Sequence, residues 1–258
     1  MTPPMSILDW MIYLSAAVPL GVATWANRRT SLLHTIVWTW FAWMIWGLAL
    51  WAADRRTDYV ALCLTGSAGV AVFGARRPGV AAWNFVVAGL LVILLLPLAE
   101  GAATDAEFRL GWFRIAFLIA LLGMIVTNYL PTWLAVGALW LFLTCGWLIA
   151  ELLADSGVAP RQLVAFTLGP AAWIAWFCLW LGQLGRTDLD RRWLAFRDRY
   201  GLVWGQRLRE QFNRSAAANG WDATLSWSGL GLGPRIFDDQ RMAIDQTLAV
   251  LMKRFMPD

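Results

Sequence analysis

The chain has 258 residues, of which 59% are hydrophobic and only 15% charged, with a mean hydropathy of +0.56 and a net charge of +4. Soluble globular domains carry about 25% charged residues, so this composition excludes an ordinary water-soluble protein and makes the lipid bilayer the natural solvent. A bilayer core about 30 Å thick takes roughly 20 apolar residues per helical crossing, and seven windows close to that length fill most of the first 185 residues.

The windows are 7–25, 32–53, 59–75, 80–99, 110–130, 131–152 and 163–184. Backbone amides in hydrocarbon must pair within their own segment, so each window is expected to be a transmembrane helix. Residues 1–9 contain no Lys or Arg, the positive region a secretory signal needs, so the first helix is expected to be retained. Pro19-Leu20-Gly21 should kink it, as Gly169-Pro170 should kink the seventh. The third window is short but rich in small residues, among them Gly66, Ser67, Gly69 and Gly74, which permit close backbone approach and predict a central position in the bundle. Asn128-Tyr129-Leu130-Pro131-Thr132 leaves room only for a tight turn between the fifth and sixth helices.

Nineteen tryptophans stand out. Trp10, Trp25, Trp51, Trp112, Trp133 and Trp193 fall where indoles favour the membrane interface. Trp43, Trp46, Trp140, Trp173 and Trp176 lie nearer mid-span, where they pack against neighbouring helices or line a pocket for a flat or chain-like apolar ligand such as a quinone, a pigment or a lipid tail.

Basic residues in short loops set orientation. With the N-terminus outside, Arg28, Arg29, Arg76, Arg77 and the basic tail face the cytoplasm, and the acidic segments around Glu100, Asp105, Glu107, Glu151 and Asp155 face out; Arg55 and Arg56 are exceptions flanked by Asp54 and Asp58. Lys253 is the sole lysine among 21 basic residues, which excludes a retinal Schiff base within a span and fits a GC-rich bacterial genome. The expected location is therefore the bacterial cytoplasmic membrane.

Polar groups inside spans are costly and are the first functional suspects. His34 reads as an interfacial histidine, since one imidazole without a second ligand builds no metal or haem site. Asn84 reads as interhelical glue, with a ligand contact as the alternative. Arg109 and Arg114 either snorkel to headgroups or clamp an anion. Cys63, Cys145 and Cys178 show no disulfide or metal spacing. No catalytic set, metal site or cofactor emerges from these residue types.

After residue 185 the character changes. Between 186 and 214, eight arginines face Asp188, Asp190, Asp198 and Glu210, a net of +4, while Leu189, Trp193, Phe196, Tyr200, Trp204 and Leu208 recur at helical spacing. The expectation is one amphipathic helix lying on anionic headgroups, with Trp193, Phe196, Tyr200 and Trp204 embedded and Arg191, Arg192, Arg197 and Arg199 at the phosphates. Interleaved acids and the lack of a recognition module argue against nucleic acid. A turn at Asn219-Gly220, a short strand through Ala223, Leu225 and Trp227, a glycine-rich flexible connector over 228–234 and a last helix capped by Asp238 or Asp239, with Ile244, Leu248, Leu251 and Phe255 on its apolar face, complete the tail. So small a tail should lean on the membrane, the bundle's loops or a partner.

The sequence thus reads as an all-α polytopic bundle, 1–185, followed by a mostly helical cytoplasmic tail, 186–258. The favoured function is a non-catalytic accessory or scaffold subunit in contact with lipids and membrane protein partners. A small-solute or lipid-like permease and an intramembrane enzyme acting on a lipid-linked substrate are the alternatives.

Overall fold

A computed structural model describes residues 5–76, 79–104, 111–154, 161–183, 187–234 and 236–255. Seven of its helical segments are long and apolar enough to cross a membrane, which makes this a multi-pass membrane protein. They are α1 and α2 together (Ile7–Ser15 and Ala17–Asn27), α3 (Leu33–Ala52), α4 (Arg55–Ala71, extended by a 3-10 turn at Val72–Gly74), α5 (Val80–Thr104), α6 (Trp112–Tyr129), α7 (Ala135–Ala154) and α8 (Arg161–Leu181).

The first crossing breaks at Ala16 rather than at Pro19 itself. A proline ring clashes with the carbonyl four residues back, here that of Ser15, so the helix is interrupted one turn ahead of the proline. Pro170, in contrast, lies inside a continuous α8. The third crossing is full length because its helix starts at Arg55, and it holds the centre: 72% of its apolar window is buried, against 17–33% for the other six. It packs on α3, α5 and α6, while α7 links α6 to α8 and α8 returns to α1. Gly169 permits that return, since a Cβ there would lie 2.7 Å from the Ile12 carbonyl oxygen.

Indole N–H groups tie the crossings together. Trp40 donates to the Thr24 hydroxyl at 2.9 Å, Trp46 to Thr65 at 2.9 Å, Trp83 to the Val70 carbonyl at 3.2 Å, and Trp140 to the Thr167 carbonyl at 2.7 Å, one turn before Pro170. A buried indole needs such an acceptor, so most mid-span tryptophans are interhelical fasteners. At helix ends, Trp25, Trp51 and Trp112 are exposed, as an interfacial belt requires.

The tail consists of α9 (Asp188–Ala218), an antiparallel pair β1 (Ala223–Leu225) and β2 (Leu230–Leu232) with Ala223 opposite Leu232, and α10 (Asp238–Met252). Three expectations are corrected here. The helix α9 is broken at Gly201, whose φ of 77° and ψ of −166° are non-helical. The glycine-rich run holds β2 and is fastened to α9, with the Leu230 amide donating to Asp190 at 2.7 Å. The residue at the N-cap of α10 is Phe237, ahead of Asp238 and Asp239.

The fourth correction bears on function. Trp193, Phe196 and Tyr200 are 0% exposed and Trp204 is 7%, because β1, α10 and the bundle residues Leu32, Val72 and Ala75 cover them. In this fold they cannot embed in headgroups. Trp193, placed in the membrane belt by sequence, instead lies in the tail's core with its N–H on the Ser226 carbonyl at 2.8 Å. Of the surfaces the tail was expected to lean on, it uses the bundle's helix ends and loops: the Ser31 amide donates to the Phe255 carbonyl at 2.9 Å, and the Trp204 indole to the Val72 carbonyl at 3.1 Å.

Candidate functional site

Between α1–α4 and α6–α8, in the half of the bundle nearer the tail, lies a cavity of about 320 Å³. Protein interiors are otherwise close-packed, and ligand sites begin at about 300 Å³. Small residues open it. α4 contributes Ala68 and Gly69, α7 Gly137 and Ala138, and α8 Ala171, Ala172 and Ala175. The aromatic wall is Tyr13, Trp43, Trp46 and Tyr129. Tyr13 and Trp43 stack with ring centroids 5.3 Å apart and planes 5° from parallel.

Among the described residues no carboxylate, imidazole, guanidinium or thiol lines the cavity; its polar groups are the hydroxyls of Thr35, Thr39, Thr65, Tyr13 and Tyr129 and the indole N–H groups. Most of these already have partners. Thr39 donates to the Thr35 carbonyl at 3.0 Å, Thr65 to the Ala61 carbonyl at 2.8 Å, Tyr129 to the Arg199 carbonyl at 3.3 Å, and Tyr13 to the Trp43 carbonyl. The Trp43 N–H is buried without an acceptor among the described residues. Such a chamber suits a molecule with an apolar body and at most a carbonyl, ether or hydroxyl oxygen.

Comparison with family models, with curated proteins and with solved structures finds no match for this chain.

Of the residues singled out from sequence, Trp43 and Trp46 line the cavity, while His34, Asn84 and Arg114 lie away from it. The His34 Nδ1 and Asn84 side-chain amide meet at 3.0 Å between α3 and α5, and the Asn84 oxygen accepts from the Trp38 indole at 3.3 Å. This is a surface fastening of two helices. Arg114 lies at the end of the bundle remote from the tail, where it pairs with Glu100 at 2.6 Å, both side chains well exposed. Arg109, Glu107, Asp105, Asp155 and Arg77 lie outside the described residues. Asp58 is buried and held by Arg161 at 2.7 Å, with side chains 4% and 3% exposed. Among the described residues no group of three His, Cys, Asp or Glu side chains is placed to hold a metal.

Tyr129 connects the cavity to the tail. The turn after α6 inserts into the break of α9: Tyr129 takes the Arg199 carbonyl on one side, and Asn128 accepts the Val203 amide at 3.1 Å on the other. Both are orphan backbone groups created by the break. Beside them Asp198 accepts from Arg197 at 2.6 and 2.8 Å and from the Trp133 amide at 3.4 Å. Arg197 also donates to the Trp227 carbonyl. Burial pushes the Asp198 carboxyl above its ordinary range, opposed by Arg197, and lowers the Arg199 guanidinium. Of the four arginines assigned to headgroups, Arg197 is thus buried; Arg191 and Arg192 stay exposed, beside Asp188 at 3.6 Å and Asp245 at 3.0 Å.

Sequence reasoning raised such a pocket only as the alternative to packing for the mid-span tryptophans, of which Trp43 and Trp46 line it, and did not assign the small residues of α7 and α8 to it. Its stripes were present at helical spacing: Thr65, Ala68, Gly69 and Val72 on α4; Leu134, Gly137, Ala138 and Leu141 before and along α7; Leu168, Ala171, Ala172 and Ala175 on α8. The same pattern serves close helix packing, so only the arrangement of six helices distinguishes a seam from a chamber.

Proposed function

We propose that this chain is a non-catalytic integral membrane protein of the bacterial cytoplasmic membrane, an accessory subunit that holds an apolar, chain-like or flat molecule inside its bundle, with the tail in the cytoplasm. The observation that carries the reading is the cavity, sized for a ligand and walled by alanine, glycine and aromatic rings, with no carboxylate, imidazole, guanidinium or thiol among the described residues that line it. An apolar chamber gains by exchanging void for dispersion contacts. The acceptor-less Trp43 N–H gives an oxygen-bearing ligand one hydrogen bond to complete. The rivals have less support. Arg114 is remote from the cavity and paired to Glu100, so it does not serve a permeation route through it. Asp58 is committed to Arg161 and is not free for acid–base chemistry.

Extraction of the protein purified in mild detergent, followed by mass spectrometry, tests this. The wild type should carry a near-stoichiometric apolar molecule. Ala172→Phe and Ala138→Phe, which fill the chamber from two helices, should lack it while retaining their thermal midpoint. A wild type that yields only the lipids surrounding any membrane protein, in the same amounts as both variants, would overturn the reading.

A further inference from the structure

Where the tail meets the end of the bundle, Arg76, Arg207 and Arg254 converge on one small pocket floored by Trp204, Leu208 and Phe255. Three elements far apart in sequence supply them. Arg76 follows the end of the third crossing, Arg207 lies on α9 after the break, and Arg254 follows α10. Among the described residues none has an ion-pair partner and no carboxylate lines the pocket. Its other polar side chain is Gln211, a neutral donor. Several arginines elsewhere are matched, among them Arg161 by Asp58, Arg197 by Asp198, Arg192 by Asp245 and Arg114 by Glu100.

The pocket is held in place by contacts that also fix its depth. The Trp204 N–H donates to the Val72 carbonyl at 3.1 Å, in the last turn of the third crossing. The Phe255 carbonyl accepts from Ser31, just before α3 begins. Both contacts pin the pocket to the ends of transmembrane helices, the level at which lipid phosphates lie. Arg207 stands over the Trp204 ring with its guanidinium carbon 5.1 Å from the ring centroid, a contact that limits its rotamers beside the pocket. Like charges gathered without a counter-charge repel one another, and a phosphate relieves that repulsion while accepting forked N–H donors.

The geometry points to a phosphate-binding site formed by Arg76, Arg207 and Arg254, which takes the phosphate group of an anionic lipid headgroup or a soluble phosphate. It stands apart from the apolar cavity and does not depend on that chamber's contents. It also relocates the headgroup contact: the embedded aromatic face expected from sequence is replaced by a three-guanidinium pocket at the tail–bundle junction.

The test uses the full chain in detergent, with phosphatidylglycerol, phosphatidylcholine and inorganic phosphate as probes, read by native mass spectrometry and by thermal midpoint. Wild type should retain phosphatidylglycerol over phosphatidylcholine, and Arg76→Gln/Arg207→Gln/Arg254→Gln should lower that retention about tenfold or more. The corresponding triple lysine variant keeps the charge and should retain an intermediate amount, which guards against a folding defect in the glutamine variant. Stabilisation by phosphatidylglycerol beyond that from inorganic phosphate identifies the lipid as the source; equal stabilisation identifies the free anion. A glutamine variant that retains phosphatidylglycerol as the wild type does, or a wild type indifferent to both anions, would overturn the site.

Discussion

Arg161 and Asp58 meet 2.7 Å apart at the first turns of α8 and α4, with almost no exposed surface. Removing one member of such a pair strands the other charge and costs roughly 3–5 kcal/mol, whereas replacing both with apolar groups is often neutral. The Arg161 Nε and Nη2 are buried without acceptors among the described residues, so the pair is imperfectly satisfied and easily replaced as a unit. Arg161→Met should therefore unfold at markedly lower denaturant, and Asp58→Leu/Arg161→Met should recover most of the loss. A single variant indistinguishable from wild type would show the pair to be solvated. Asp198 gives a pH-dependent counterpart in the tail. Its carboxyl is raised, chiefly by burial, so its protonated form is favoured by folding and its contribution is fully present below about pH 4, the unfolded value. As pH rises through the folded value that contribution is lost. Stability of wild type relative to Asp198→Asn should fall as pH rises above about 4 in unfolding scans; a rise in that direction would contradict the burial argument.

The element that decides how the tail sits is α9, and its break at Gly201 depends on one residue type. A φ of 77° with ψ of −166° is essentially restricted to glycine and costs other residues about 1–3 kcal/mol. A Cβ there would also lie 2.1 Å from the Asn128 amide nitrogen and 2.8 Å from its carbonyl oxygen. Gly201→Ala should thus release the tail from the turn after α6, measured as faster proteolysis or hydrogen exchange in 188–255 while the spans stay protected. Asn128→Ala removes a capping acceptor and should weaken the same docking by about 1 kcal/mol. None of this was legible beforehand. Leu189, Trp193, Phe196, Tyr200, Trp204 and Leu208 keep helical spacing straight across Gly201, and a glycine inside a helix costs only ~1 kcal/mol, too little to announce a break. The same periodicity identified an apolar face but not its cover. Lipid and protein bury such a face alike, and here Ile244, Leu248 and Phe255, recognised as a second apolar face, join it in one core.

For the molecule as a whole, the seven crossings were legible because hydrocarbon admits few solutions: a long apolar window becomes a helix whatever it packs against. The central place of α4 followed from its small residues for the same reason. The cavity did not, since the stripes that build it come from six helices and resemble ordinary packing seams. Sidedness rests on loop charge. Among the described residues the tail-side connections carry Arg28, Arg29 and Arg76, the loop charge from which a cytoplasmic tail is proposed. At the other end Arg55, the exception, is half-buried and donates to the Leu152 carbonyl. The three native cysteines are buried, so single introduced cysteines report cleanly on side. Asp54→Cys, on an exposed residue between α3 and α4, should react with a membrane-impermeant maleimide in intact cells, and Ala218→Cys, exposed at the end of α9, only after lysis. The reverse pattern would invert the orientation. Labelling of both in intact cells would require an even number of crossings between Asp54 and the tail, and the bundle described above would no longer stand.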